Sequence, residues 1–211
     1  MKNKKIKNTI NDYILTIINS YLAGFMIGLG GLIYLSIDNK IIGSLLFSFG
    51  LITILSKTYY LYTGRIADIS TKTLISDVCY YTTMLIFNFI GASTVGWFAQ
   101  ELGLKTTTLI ENKLTLSNRH IFIASIICGV LMYLGVSLSK IKENNIYATL
   151  AVMIFILTGA EHCVANAFYF AVDNCLLQNW HFFIINILGN SIGAILWKHL
   201  ENIPKKLRWN F

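Results

Sequence analysis

Thr158-Gly159-Ala160-Glu161-His162-Cys163-Val164-Ala165-Asn166 places a carboxylate, an imidazole and an amide inside an otherwise apolar region, about 146–175. That region is long enough to cross a bilayer, which takes about 20 mostly apolar residues. Ionisable and amide side chains at membrane depth are costly, so their presence points to function. His162 and Asn166 are four apart, a spacing that puts both on one face of a helix. Glu161 points away from that face, where it is expected to tie down loop N–H groups or a cation. Thr158-Gly159 interrupts the helical pattern just before this trio.

A second interruption sits in the region 41–72, at Ser56-Lys57-Thr58 and again at Thr63-Gly64-Arg65. Uninterrupted apolar runs lie at 13–37, 76–100, 119–139 and 179–199. The reading is therefore an all-α polytopic membrane protein of six transmembrane segments, the second and fifth broken. The order whole, broken, whole occurs twice, and three segments invert the topology of the next three. Two inverted three-segment repeats with interruptions at matching places point to a transport site near the midplane. Irregular backbone is tolerated at that depth only where it lines a cavity or is buried in protein. Ala23, Gly24, Gly28, Gly30 and Gly31, with Gly189 and Gly193, supply small residues for close helix packing.

Composition agrees. The chain has 211 residues, 55% hydrophobic and 13% charged, with a mean hydropathy of +0.61. A soluble domain carries about a quarter charged residues, so a water-facing globule is excluded. The apolar content excludes disorder, and four scattered cysteines exclude a disulfide scaffold. Cys79, Cys128, Cys163 and Cys175 have no metal-ligand or redox spacing, so no metal or cofactor is expected and buried thiols are. The pI near 9.2 does not indicate a nucleic-acid partner, because the basic residues sit at segment ends rather than on one face.

Orientation follows from the cations. Lys2, Lys4, Lys5, Lys7, Arg65, Lys72, Lys140, Lys142, Lys198, Lys205, Lys206 and Arg208 fall on one side, against Lys40, Lys105, Lys113 and Arg119. This puts both termini in the cytoplasm and the protein in the cell's inner (cytoplasmic) membrane. The first run passes Ile37 without a small-residue cleavage site and is read as a retained span. The organisation is one membrane domain: a cytoplasmic stretch 1–12, a pore domain 13–199 and a basic tail 200–211 that meets anionic headgroups. His120, His181 and His199, and Trp97, Trp180, Trp197 and Trp209, lie near segment ends, as interfacial residues do. Lys57 has three open readings: pairing with Glu161, snorkelling to the membrane edge, or adding positive potential to an anion path.

Gly159 through Asn166 resembles the Gly-Phe-Glu-His-Ser-Ile/Val-Ala-Asn signature of the formate/nitrite transporter family, departing at Ala160 and Cys163. Leu61-Tyr62-Thr63-Gly64 resembles that family's Leu-Phe-Thr-Gly loop. Asn88-Phe89-Ile90-Gly91 resembles its Asn-x-x-Gly, and Gly189-Asn190 with Gly193 its Gly-Asn-x-x-Gly. All four occur in order. The resemblance implies an aquaporin-like protomer, a homopentamer with one pore per protomer, and passage of small monovalent anions of weak acids such as formate, nitrite or hydrosulfide. It makes His162 the central pore residue, Thr63 its hydrogen-bonding partner, Asn166 the pore amide one turn on, and Lys113 a lysine that attracts the anion from outside. Phe47, Leu51, Leu61, Tyr62 and Phe155 fall at the apolar constrictions. Tyr62 stands where relatives carry phenylalanine, Thr58 and Tyr60 where they carry a glycine and an acid, and Cys128 where they carry asparagine.

A passive channel or proton-coupled carrier for such an anion or its neutral acid is the leading reading, with His162, between two apolar constrictions, hydrogen-bonding or protonating the permeant. An aquaporin-like pore for a neutral small solute is the alternative. An acid/base enzyme built on Glu161 and His162 lacks a nucleophile, metal or cofactor set beside them. A scaffold gives no reason for polar residues at both interruptions.

Overall fold

The computed structural model describes the backbone of residues 2–208 and the side chains of 11–204. The side chains of Lys2, Lys4, Lys5, Lys7, Lys205, Lys206 and Arg208, and all of Trp209, therefore lie outside the described residues. The fold is all-helical. Its α-helices are α1 (Lys2–Leu35), α2 (Lys40–Ser56), α3 (Leu74–Glu101), α4 (Thr107–Leu114), α5 (Asn118–Lys142), α6 (Ile146–Leu157), α7 (Cys163–Val172) and α8 (Trp180–Arg208). α1, α3, α5 and α8 each contain a stretch long and apolar enough to cross a membrane; α2, α6 and α7 are shorter apolar helices.

Helix starts follow local chemistry. Asn39 opens α2, its side-chain oxygen accepting from the N–H groups of Ile41 and Ile42 at 3.0 and 3.1 Å. Ser117 opens α5 by accepting from His120 N–H at 3.2 Å. Such caps satisfy N–H groups that the first turn leaves without helical partners. The chain is non-helical from Lys57 to Arg65, and two short 3₁₀ turns, Ile66–Asp68 and Thr71–Thr73, lead into α3. α6 and α7 are separated by the stretch 158–162.

Packing pairs α1 with α2 and α3, and α5 with α6 and α8. α2 lies against α6 in the middle, and α3 rests on α7. Contact between α1 and α3 is backbone to backbone: a Cβ on Gly24 or Gly91 would collide with the carbonyl of Asn88 or of Tyr21. α5 and α8 meet in the same way, with Gly129 against the Asn190 carbonyl and Gly193 against the Ile126 carbonyl. In lipid such close approach replaces the hydrophobic drive that packs helices in water.

Two features differ from the sequence reading. α4 forms in a stretch read as loop, because its eight residues show no apolar stripe. Cys79 is exposed on α3, whereas Cys128 and Cys163 are buried and Cys175 is half-buried.

Thr58, just past α2, has φ +57°, a left-handed conformation that a β-branched residue adopts at a cost. Thr58→Gly removes that cost of roughly 1 kcal/mol. The expected result is a higher thermal midpoint in detergent; an unchanged or lower one rejects strain at this turn.

Candidate functional site

Both non-helical stretches present backbone groups that need partners at membrane depth, and two asparagines provide them in the same pattern. Asn88 on α3 accepts from the N–H of Tyr62 at 2.8 Å and donates to the carbonyls of Tyr60 and Ser20 at 2.8 and 2.7 Å. Asn190 on α8 accepts from the N–H of Cys163 at 2.9 Å and donates to the carbonyls of Glu161 and Ser125, both at 2.8 Å. Each asparagine therefore clamps one non-helical stretch to a neighbouring helix, α1 through Ser20 or α5 through Ser125. By this pattern Leu61 in one stretch corresponds to His162 in the other.

His162 is buried and caps α7. Its Nδ1 accepts from Ala165 N–H at 3.0 Å, so Nδ1 carries no proton. The neutral ring then holds its proton on Nε2, which donates to Thr63 Oγ1 at 2.8 Å. The capping bond to Ala165 therefore sets the tautomer, and Thr63, the partner expected from the sequence, receives the consequence. Phe155 stacks on the ring at 5.4 Å with 21° between the planes, and Phe47 meets Phe155 edge-on at 5.8 Å.

Glu161 binds a cation, and that cation is Lys113, in the last turn of α4. Lys113 Nζ lies 2.6 Å from Glu161 Oε2, with side-chain exposures of 17% and 3%. Lys57 is exposed at the end of α2, so its proposed pairing with Glu161 does not occur. Nor does the Glu161 carboxylate hold the loop backbone. That work falls to Asn186, which donates to the Glu161 carbonyl at 2.7 Å and to Ser125 Oγ at 2.9 Å, together with Asn190. Asn166 donates to Glu161 Oε2 and to Asn186 Oδ1, both at 2.8 Å. Its two N–H groups are thus used within the protein, and its carbonyl oxygen is what it has left to offer a solute. Among the described residues no buried side-chain nitrogen or oxygen lacks a partner.

His162 is extended rather than helical, so it and Asn166 do not share a helix face in the strict sense. They nevertheless line one cavity of about 80 Å³, with Lys113, Phe155 and Tyr169. That is room for a solute of a few heavy atoms. A second cavity of about 80 Å³ is lined by Leu51 and Leu61 together with Arg65 and Lys140. Phe47, Leu51, Leu61, Tyr62 and Phe155 are all buried. Tyr62 turns its hydroxyl to Ser191 on α8 at 2.8 Å. Because Ser191 donates its own proton to the Ile187 carbonyl, the tyrosine is the donor.

The sequence reading did not single out Asn186, nor the structural use of Asn88 and Asn190. A signal was present: Asn186 and Asn190 are four apart in an apolar segment, a spacing that aligns two costly amides on one face.

Residues 1–200 match the family model described as "Formate/nitrite transporter". The chain is 27% identical over 223 residues to the "Uncharacterized transporter YrhG" of Bacillus subtilis (strain 168), covering 92% of this chain and 83% of the relative. The fold is similar to a solved "Pentameric formate channel with formate bound", with a TM-score of 0.81 at 19% identity over 93% of this chain and 98% of that one. It is also similar to an "FNT family ion channel", with a TM-score of 0.77 at 17% identity over 95% and 98%.

Removing one partner of a buried ion pair strands the other at a cost of about 3 kcal/mol or more. Glu161→Gln and Lys113→Met are each expected to lower stability by that order, and the double variant by clearly less than their sum. Lys57→Met combined with Glu161→Gln is expected to be additive. Unfolding in detergent gives both cycles; additivity in the first would dissolve the pair.

Proposed function

Because the chain belongs to the formate/nitrite transporter family, we propose that it is a multi-pass channel for small monovalent anions of weak acids, of the formate, nitrite or hydrosulfide type. The reading rests chiefly on one observation. Two small cavities, one walled by His162, Asn166, Lys113 and Phe155 and the other by Leu51 and Leu61, are joined through buried apolar side chains, Phe155 meeting Phe47, which stands one turn before Leu51 on α2. In this proposal the protomer is aquaporin-like, with two inverted three-segment repeats whose second and fifth segments are interrupted. The matching clamps of Asn88 and Asn190 support that symmetry. Positions 13–199 form the pore, five copies assemble, and both termini face the cytoplasm of a cell whose inner membrane holds the protein.

The physical scheme follows from desolvation. A bare anion passing a ring of Phe and Leu side chains loses hydration with nothing to replace it, at a cost far beyond thermal energy. Its neutral acid loses much less. Lys113 draws the anion toward the outer mouth, moderated by Glu161. In the chamber the permeant takes the place of Thr63 as acceptor of the His162 Nε2 proton, and the Asn166 carbonyl accepts from the acid. While Nδ1 is held by Ala165 N–H, giving up the Nε2 proton would leave an imidazolate. His162 therefore acts as a hydrogen-bond donor to a permeant that brings its own proton. Nothing is covalently changed, so this is transport and not catalysis.

His162→Asn separates the roles of this residue, since an asparagine oxygen at that position is itself a good helix cap. The variant is expected to fold with near-native stability and to lose inward formate flux in proteoliposomes by about tenfold or more, the worth of one strong hydrogen bond. In the parent, formate and nitrite pass while chloride, which has no neutral acid at these pH values, does not. Native flux in His162→Asn rejects the donor role; chloride passing as fast as formate rejects the neutral-acid scheme.

A further inference from the structure

The cavity lined by Leu51 and Leu61 also has two cations in its wall, Arg65 and Lys140, with Thr58, Tyr59 and Gly64. The Arg65 guanidinium lies 4.0 Å over the centre of the Tyr60 ring, which holds it in place without cancelling its charge. Among the described residues neither Arg65 nor Lys140 has a carboxylate oxygen within 4.0 Å. The acidic group nearby that is engaged, Asp68, is taken by Lys198 at 2.6 Å. The opposite mouth is different, because its Lys113 is already neutralised by Glu161 at 2.6 Å.

Two like charges converging on one apolar-walled pocket repel each other, and low-dielectric walls focus their field on the space between them. The group that relieves this arrangement is a counter-ion of modest size, since the pocket holds about 80 Å³. We infer that Arg65 and Lys140 form an anion-binding station at the mouth opposite Lys113, which takes the permeant class of small monovalent anion in its ionised form and presents it to the Leu51–Leu61 constriction. The inference rests on the transport reading for the identity of its ligand. It adds that the two mouths differ: one attracts the anion through a lysine in direct contact with a carboxylate, the other through two cations that, among the described residues, have no such contact.

A thiol placed in the pocket wall tests this directly. Thr58→Cys, in a chain also carrying Cys79→Ser, is modified with an anionic and a neutral methanethiosulfonate of similar size. The same chain without Thr58→Cys gives the background. The anionic reagent is expected to react faster relative to the neutral one. Arg65→Gln and Lys140→Gln should each lower that ratio, and together lower it by about tenfold. Lys140→Arg should leave it unchanged. Sodium formate should slow modification in the parent at constant ionic strength and not in the double variant. Gel filtration confirms that each variant is folded before it is read. A ratio indifferent to both charges, or equal slowing by formate in parent and double variant, overturns the station. Vesicles that exchange no formate while the ratio still falls would instead remove the transport reading and leave the anion site standing.

Discussion

In hydrocarbon no water is available to a peptide group that leaves a helix, and each unsatisfied group costs several kcal/mol. Everything distinctive about this chain is arranged around that shortage. Asn88 and Asn190 each use one acceptor and two donors to hold a non-helical stretch, and each reaches a second helix, α1 at Ser20 or α5 at Ser125. Those bonds require the helices to meet at backbone distance, which is why Gly24, Gly91, Gly129 and Gly193 stand where they do. A deep polar site then becomes possible, because its framework is already satisfied before any solute arrives.

The ionised groups obey the same accounting. The Glu161 carboxylate is buried, and Lys113 and Asn166 both bind its Oε2. The chamber thus contains charge without net charge, and its field is a dipole rather than a monopole. Next to it, His162 is fixed by two protein bonds and one stacked ring, so its Nε2 donor has a preset geometry. Preset donors spend less entropy on binding than mobile ones.

Much of this was legible from the residues. Apolar runs gave the membrane class, and costly polar residues at the interruptions marked the site. The signature ending at Asn166 named the family to which the chain belongs. Other parts were hidden for physical reasons. The Lys113–Glu161 pair joins residues 48 apart, and no local periodicity encodes a contact between a short helix and a distant non-helical stretch. α4 is short and polar, and so carries no stripe for a pattern to detect. The tautomer of His162 depends on the start of α7 falling at Cys163, a one-residue detail that sequence boundaries do not resolve. Asn186 and Asn190 were readable as a spaced amide pair, but only with the thought that carbonyls, not ligands, needed them.

The two clamps grip main-chain atoms, so they are indifferent to which side chains the held residues carry. At corresponding places one stretch bears Leu61 and the other His162, a hydrocarbon and an imidazole on equal scaffolding. A substitution at either position therefore changes the side chain that walls a cavity and leaves the asparagine and glycine scaffold beneath it as it is.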